Sequence, residues 1–284
     1  MKFLRFGLPG KEKPGLLDKN GNIRDLSGEV NDFEGLTLCQ EQLSSLAKIN
    51  IETLTPIDES PRLGPPIANV GKIIAVGINY ADHGKETKID LPSEPILFSK
   101  AVTSISGPND PVVLPKNSVK CDWEVELAIV IGKHAKYVSE KDALNFIAGY
   151  TILNDISERE FQLERDGQWL KGKSFDTFAP IGPWLVTPDE IYDPQNLHLW
   201  LNVNGKKQQD GNTRDMIFSI RRIISTITSY MTLLPGDIIA TGTPPGVGLG
   251  KIPPNYLKRG DVINLGIEGL GKQCQKIKSW EEFN

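Results

Sequence analysis

The chain has 284 residues, of which 39% are hydrophobic and 24% charged, and its net charge is −4. This length fits one large domain or a domain with a small addition, and the composition is that of an ordinary globular protein. No basic block of the kind that binds nucleic acid occurs, and no apolar run is long enough to span a membrane. Three scattered cysteines without a CxxC pair indicate reduced thiols. We therefore expect a cytoplasmic protein with neither a nucleic-acid nor a membrane partner.

Residues 1–65 are predicted to form a small N-terminal domain that ends in a linker. Asn20-Gly21 is a strong hairpin signal, and the spacing of apolar residues over 39–50 predicts a short helix. Residues 54–70 contain four prolines and no periodicity, which is typical of a linker. The main, catalytic domain is then predicted over 66–284.

Short strand-like segments dominate the main domain, and only two helices are predicted in it. Ser139 is a candidate N-cap for a helix over 139–149, and a periodic apolar face predicts a second helix over 215–234. The excess of strands and their irregular spacing argue against a doubly wound sheet or a TIM barrel. The sequence predicts a mainly β fold with some helix (α+β), as a mixed sandwich or roll.

Two glutamates stand two residues apart in the apolar run CDWEVELAIVIG. Because side chains alternate along a strand, Glu124 and Glu126 point to the same face as the apolar Ala128 and Val130. A second apolar run, GYTILNDIS, carries Asp155 near its end. A glutamate pair is also typical of a solvated face, but buried carboxylates repel one another unless a cation holds them. The pattern favours a hard divalent cation with oxygen ligands, above all Mg2+.

His83 and Glu86 follow the strand-like segment IIAVGINY. Three residues apart, they share one face of a helical turn, so the carboxylate can orient the imidazole as a general base for water. A surface helix with an incidental ion pair is the alternative.

Four further polar residues are candidates for the same site. Lys173 lies in the glycine- and aromatic-rich stretch WLKGKSFDTFAPIGP, and Lys100 ends the apolar PILFSK. A solvated lysine is the alternative for both. Arg159 and Gln162 follow Asp155 with i, i+3 spacing, so they are predicted to face the same site.

The segment TGTPPGVGLG is rich in glycine but lacks the spacing of a phosphate-binding loop. Its two prolines also remove backbone donors that a phosphate would need. The hydroxyls of Thr241 and Thr243 favour a loop that contacts substrate, with a plain tight turn as the alternative.

Several segments together resemble the fumarylacetoacetate hydrolase family. They run in the family's order and cover roughly residues 70–270: GINYADHGKE, PILFSK, DWEVELAIVIGK, GYTILNDISEREFQ, GKSFDTFAPIGPWLV and GDIIATGTPPGVG. The resemblance implies a mixed-sheet β-roll that binds Mg2+ or Mn2+ and is usually a homodimer. The N-terminal segment resembles the subgroup of 2,4-diketo-3-deoxy-L-fuconate hydrolases and of proteins labelled ureidoglycolate lyases.

The resemblance also implies roles for individual residues. The metal ligands would be Glu124, Glu126 and Asp155. The catalytic group would comprise His83 and Glu86 as a water-activating dyad and Lys173 near the metal. The substrate contacts would be Gln162, Thr243 and Arg159, and Lys100 is a further candidate.

The implied reaction is metal-dependent hydrolysis of the C–C bond of a 2,4-diketo acid to pyruvate and a second acid. Ureidoglycolate cleavage by a lyase and decarboxylation of oxaloacetate are alternatives at the same metal site. A metal-stabilised binder of small ligands is the alternative that involves no catalysis. The expected partner is a small keto acid.

Overall fold

The computed structural model describes residues 1–57, 60–87 and 91–282, and the side chains of residues 83, 85 and 87 lie outside this described part. The α-helices are α1 (Gln40–Leu46), α2 (Ala81–Thr87), α3 (Arg159–Leu163), α4 (Leu170–Lys173) and α5 (Ile220–Tyr230). The β-strands are β1 (Lys2–Phe6), β2 (Lys13–Leu17), β3 (Ile23–Asp25), β4 (Pro56–Ile57), β5 (Ile73–Gly77), β6 (Ile96–Lys100), β7 (Ile105–Ser106), β8 (Val112–Leu114), β9 (Cys121–Asp122), β10 (Val125–Ile131), β11 (Ile147–Asn154), β12 (Ser157–Glu158), β13 (Ala179–Val186), β14 (His198–Val203), β15 (Lys206–Asn212), β16 (Ile238–Ala240), β17 (Val262–Ile267) and β18 (Gly271–Ser279).

Two large sheets of mixed direction organise the described residues. The larger has the order β4-β3-β2-β1-β13-β11-β10-β16-β5-β6, with β7 beside β13, and the smaller has the order β15-β14-β17-β18-β8. Most neighbours are antiparallel, whereas β16 with β5, β13 with β7 and β18 with β8 are parallel. The prediction of a mainly β, mixed-sheet fold with few helices is confirmed.

The N-terminal strands extend the larger sheet. Strand β1 pairs antiparallel with β13, with Phe3 opposite Leu185, and β2, β3 and β4 follow outward in turn. Residues 54–70, predicted as a linker, include strand β4 and a bridge between Phe6 and Leu63. The proposed domain boundary at residue 65 stays a prediction.

Strand β10 separates two apolar cores because its side chains alternate between them. Val125 and Leu127 pack into the core that includes α5 and the smaller sheet, whereas Ala128 and Val130 pack into the core beneath the N-terminal segments. The strand is therefore covered on both faces, and a polar side chain at its N-terminal end is also shielded from water.

Of the three predicted helices, all of which fall within the described residues, one is present, one is absent and one is shorter than predicted. The short helix over 39–50 is confirmed as α1. The helix over 139–149 is wrong: a Ser139–Asp142 turn and a short 3-10 turn at Ala143–Phe146 lead straight into β11. The helix over 215–234 is shorter than predicted, because Ile217 N–H bonds to Asn79 O and α5 begins only after its N-cap, Ser219.

No helix in the described ranges combines the length and the apolar composition needed to cross a bilayer.

Candidate active site

The register of β10 against β11 brings three carboxylates together. Val125 lies opposite Asn154, and Asp155 N–H donates to Glu124 O over 2.8 Å, so Glu124 and Asp155 face each other where the two strands meet the loops. Glu126 lies two residues further along β10 on the same face. One oxygen of each of the three carboxylates lies within 4.8 Å of the others.

These carboxylates are buried, which excludes the alternative of a solvated face. Glu124, Glu126 and Asp155 are 5%, 2% and 0% exposed. Burial, followed by the charges of Asp155 and Glu124, raises the pKa of Glu126 well above its usual value. Three converging carboxylates with no soft ligand are the donor set that hard divalent cations prefer, so these residues fit such an ion.

Two buried lysines pair with the carboxylates. Lys173 Nζ donates to Asp155 Oδ2 over 2.6 Å and to Glu124 Oε2 over 2.9 Å. Burial lowers the pKa of Lys173, but these two carboxylates outweigh it, and the net direction is upward. The solvated alternative does not hold for Lys173.

The structure argues against the predicted substrate contact of Lys100. Its ammonium donates to Asp155 Oδ1 over 2.6 Å, to Ile156 O and to Lys173 O. An ammonium has three N–H groups, and all three have acceptors within the protein. Lys100 therefore holds Asp155 from behind instead of facing a ligand.

Arg159 connects the cluster of three carboxylates to a fourth buried acid, Asp122. Its guanidinium donates to Asp122 Oδ2 over 2.9 Å, to Glu124 Oε1 over 2.7 Å and to Gln162 Oε1 over 2.9 Å. Burial lowers the pKa of Arg159, but the negative charges of Asp122 and Glu124 outweigh this effect, and the net direction is upward. A guanidinium can only donate, so it fixes Gln162 with its oxygen inward and leaves the amide nitrogen for the pocket.

The glycine-rich loop over 241–249 donates backbone N–H groups to carboxylates on three sides. Gly242 N–H donates to Glu126 Oε2 over 2.8 Å, and Gly248 N–H donates to Asp122 Oδ1 over 2.6 Å. Gly246 N–H donates to the Glu86 carboxylate, 2.9 Å from Oε2. The loop thus connects the cluster of three carboxylates with helix α2. A plain tight turn, the alternative for this segment, would not make these contacts.

The predicted dyad lies partly outside the described residues. Glu86 is described and is held by the loop, whereas the side chain of His83 lies outside the described part of α2. The role of His83 as the base stays a prediction.

The pocket next to the carboxylates is polar on one part of its wall and apolar on the rest. Trp169 packs edge-on against Phe98 with ring centroids 5.3 Å apart, and Leu163 and Leu249 also line the space. The predicted substrate contacts Arg159, Gln162 and Thr243 line the same pocket, together with Lys173.

Two residues of the site were missed by sequence reasoning. Asp122 precedes Glu124 by two positions, so the same alternation that singled out the glutamates would have found it. Gln209 is fully buried, and its amide contacts Val125 and Thr243. No local signal identifies it, because it lies in the polar stretch KKQQDGN.

Comparison with known proteins is in keeping with this geometry. Residues 72–278 match the family described as fumarylacetoacetate (FAA) hydrolase C-terminal. The chain belongs to the fumarylacetoacetate hydrolase family. It is therefore an enzyme of a hydrolase family, and the resemblance drawn from the motifs is confirmed.

Three relatives show how far this similarity extends. A 2,4-didehydro-3-deoxy-L-rhamnonate hydrolase from Sphingomonas sp. is 53% identical over 284 residues, covering 100% of this chain and 98% of that protein. The structure of a fumarylacetoacetate hydrolase from psychrophilic Exiguobacterium antarcticum has a TM-score of 0.85 and 36% identity, covering 98% of this chain and 99% of that one. A maleylpyruvate hydrolase from Sphingobium sp., in complex with manganese(II) and pyruvate, has a TM-score of 0.82 and 32% identity with the same coverage.

Proposed function

We propose that this family member is a divalent-metal-dependent hydrolase that cleaves the C–C bond of an acylpyruvate and releases pyruvate and a second acid. The observation that carries the proposal is the group of three buried carboxylates within 4.8 Å, with Lys173 in contact with two of them. A structural neighbour that binds manganese and pyruvate supports the same chemistry.

The substrate that the comparisons favour is 2,4-didehydro-3-deoxy-L-rhamnonate, after the 53% identical relative. The resemblance of the N-terminal segment implies the corresponding fuconate as one candidate, with ureidoglycolate as the other. The two parent sugars differ in configuration only at C2 and C4, and both carbons are keto groups in the diketo acid. The two names therefore describe one compound, and the two lines of inference agree.

Glu124, Glu126 and Asp155 would hold the metal ion, Mg2+ or Mn2+. When bound there, such an ion supplies positive charge that draws electrons from the substrate's 2-keto group. The residues around it have separate tasks. Lys173 keeps Glu124 and Asp155 oriented and adds positive charge where the enolate develops. Gln162 offers its amide N–H to an oxygen of the substrate.

We assign water activation to His83 and its orientation to Glu86. Glu86 accepts a hydrogen bond from Gly246, so this carboxylate has a fixed position from which it can hold an imidazole. His83 would take a proton from water as the water oxygen bonds to C4. The C3–C4 bond then breaks, its electron pair stays on C3 as the enolate of pyruvate, and a proton returns to C3. The C4–C6 fragment leaves as 2-hydroxypropanoate.

The pocket walls favour a short, neutral group at the far end of the substrate. Among the described side chains that line the pocket, the cationic ones are Arg159 and Lys173, and both are already paired with carboxylates. The remaining walls include Phe98, Trp169 and Leu249. A methyl group suits such walls, whereas a second carboxylate would lose its hydration without gaining an unpaired cationic partner among these described side chains.

Pyruvate release across a panel of substrates tests this function. The panel comprises the 2,4-diketo-3-deoxy acid, maleylpyruvate as a dicarboxylate, oxaloacetate and ureidoglycolate, each assayed with Mn2+ and with Mg2+. We expect the highest kcat/KM for the diketo-deoxy acid, at least about tenfold above maleylpyruvate. In 18O-labelled water, the label should enter the carboxylate of the second acid.

Other outcomes would replace the proposal. Faster carbon dioxide release from oxaloacetate would indicate a decarboxylase, and glyoxylate from ureidoglycolate would indicate a lyase. Metal binding that raises the melting temperature, with no product from any substrate, would indicate a ligand binder. The homodimer and the cytoplasmic location inferred from the sequence stay predictions.

A further inference from the structure

Among the described residues, no strand pairs with one edge of β10 at the end where the carboxylates lie. On that edge β16 pairs with Ala128 through Val130, and beyond Ala240 the chain leaves the sheet as the glycine-rich loop. The peptide groups of Val125 point to this open edge. An unpaired buried N–H or C=O group is costly, so both must find other partners.

Side chains replace the missing strand. Val125 N–H donates to Gln209 Oε1 over 3.0 Å, and Thr243 Oγ1 donates to Val125 O over 2.9 Å. Gln209 comes from β15 in the smaller sheet and is fully buried. A residue of the second sheet therefore completes the hydrogen bonding of the peptide that lies between Glu124 and Glu126.

The other end of the Gln209 amide holds the loop. Its Nε2 donates to Thr243 Oγ1 and to Pro244 O, each at a distance of 2.8 Å. An amide flip would place the nitrogen against Val125 N–H and the oxygen against Pro244 O, so these partners fix its orientation. All of its donors and its acceptor side are used within the protein.

We propose that Gln209 is a positioning residue of the active site, which sets the distance between the carboxylate pair on β10 and the loop over 241–249. This inference rests on the proposed function. The loop carries Gly242, which bonds to Glu126, and Gly246, which bonds to Glu86. One amide thus couples the metal ligands on β10 to the residue that orients the water-activating base.

Further contacts show that β15 supports this loop along its length. A Cβ atom on Gly246 would lie 2.0 Å from Gln208 O, and one on Gly211 would lie 2.6 Å from Pro244 Cβ. The loop and β15 are therefore in direct contact on both sides of Gln209, through the backbone of Gln208 and through the ring of Pro244. These contacts leave the loop little room to shift while this amide is in place.

Two substitutions separate the contact of Gln209 with Val125 on β10 from its contacts with the loop. Gln209→Met has a similar volume and removes every hydrogen bond. Gln209→Glu keeps an acceptor for Val125 N–H but turns an oxygen toward Pro244 O. The matched control is Gln195→Met, because the Gln195 amide also bridges two segments, Thr213 and Ile220, away from the site. The readouts are the Kd for Mn2+ by titration, kcat and KM at saturating Mn2+, and Tm.

For Gln209→Met we expect the Kd for Mn2+ to rise about tenfold and kcat to fall about tenfold or more, which corresponds to the loss of one to two buried hydrogen bonds. Gln209→Glu should keep a Kd within about threefold of wild type and still lose kcat. Gln195→Met should lower Tm alone. Wild-type Kd and kcat for Gln209→Met, with only Tm lowered, would overturn the inference.

The metal titration also keeps this inference separate from the proposed function. If the wild-type protein releases no pyruvate, the proposed reaction fails, but the Kd for Mn2+ of Gln209→Met still decides whether Gln209 positions the carboxylates. If Gln209→Met does not fold, Gln209→Glu decides through kcat: a wild-type kcat would contradict the role in the loop.

Discussion

Lys173 and Asp155 form a buried ion pair in which Nζ lies 2.6 Å from Oδ2. The same ammonium contacts Glu124, and Lys100 contacts Asp155 from the other side. Glu124 and Asp155 are thus held in place by lysine side chains of the protein itself. A buried charge that loses its partner is strongly destabilising, so the removal of either lysine should affect the folded protein as well as the reaction.

Lys173→Met is expected to lower kcat at saturating metal by about a hundredfold, because positive charge is lost where the enolate develops. The metal-free variant should also lose about 3 kcal/mol of stability, since two carboxylates remain without this partner. Denaturant unfolding with and without Mn2+, together with kcat, measures both effects.

Lys171→Met is the matched control, because Lys171 lies on the same helix α4 but is exposed and donates to Arg165 O. It should leave kcat and stability close to wild type. A Lys173→Met variant that is as active as Lys171→Met would show that the ammonium has no role in the reaction.

Glu126→Gln should stabilise the metal-free protein and abolish its response to metal. Folding raises the pKa of Glu126, through burial and the nearby Asp155 and Glu124. For such a group the contribution to stability is greatest below the unfolded pKa and is lost as the pH rises toward the folded pKa. The Tm advantage of the metal-free variant over wild type should therefore widen from about pH 5 to about pH 8.

Melting curves with and without Mn2+ check this expectation, and Glu164→Gln serves as the exposed control. The amide oxygen of the variant can still accept from Gly242 N–H, so the fold keeps this contact. A variant that is less stable than wild type at pH 8 without metal, or that Mn2+ stabilises as much, would argue against Glu126 as a buried ligand.

Gly246→Ala is expected to impair both folding and catalysis. Gly246 has φ +111°, and an added Cβ would lie 2.0 Å from Gln208 O, so the loop must move and Gly246 N–H would leave Glu86. Gly10→Ala provides the comparison, because Gly10 also has a positive φ, +72°, but open space around it.

Gly10→Ala should cost about 1 kcal/mol from backbone strain alone and leave kcat unchanged. Gly246→Ala should cost more and lower kcat at least about tenfold, because the orientation of Glu86 is lost. If both variants change stability equally and neither changes kcat, the contact between Gly246 and Glu86 does not serve the reaction.

The cluster of three carboxylates could be predicted from the sequence because the patterns that indicate it are local. Glu124 and Glu126 share a face through the alternation of a strand, and Asp155 ends the next apolar run, which pairs with the first as neighbouring strands commonly do. The mixed-sheet fold followed from the number and spacing of the strands. Each of these inferences uses residues that are close in sequence.

The remainder of the site depends on contacts between distant segments. Gln209 bonds to a residue 84 positions away and in another sheet, so its local sequence is that of an ordinary polar strand. Lys100 has the local sequence of a pocket residue, but it is buried behind Asp155 and has no free donor. Which way a lysine at a strand end turns is decided by tertiary packing and not by its neighbours in sequence.

The proposed requirement for a metal ion held by Glu124, Glu126 and Asp155 is tested most directly by chelation and reconstitution. Wild-type protein freed of metal should release no pyruvate from the proposed diketo acid substrate, and about one equivalent of Mn2+ per chain should restore the full rate. Glu126→Gln should stay inactive at the same Mn2+ concentration. Pyruvate release at the full rate in excess chelator, or restoration of Glu126→Gln by Mn2+, would contradict the account.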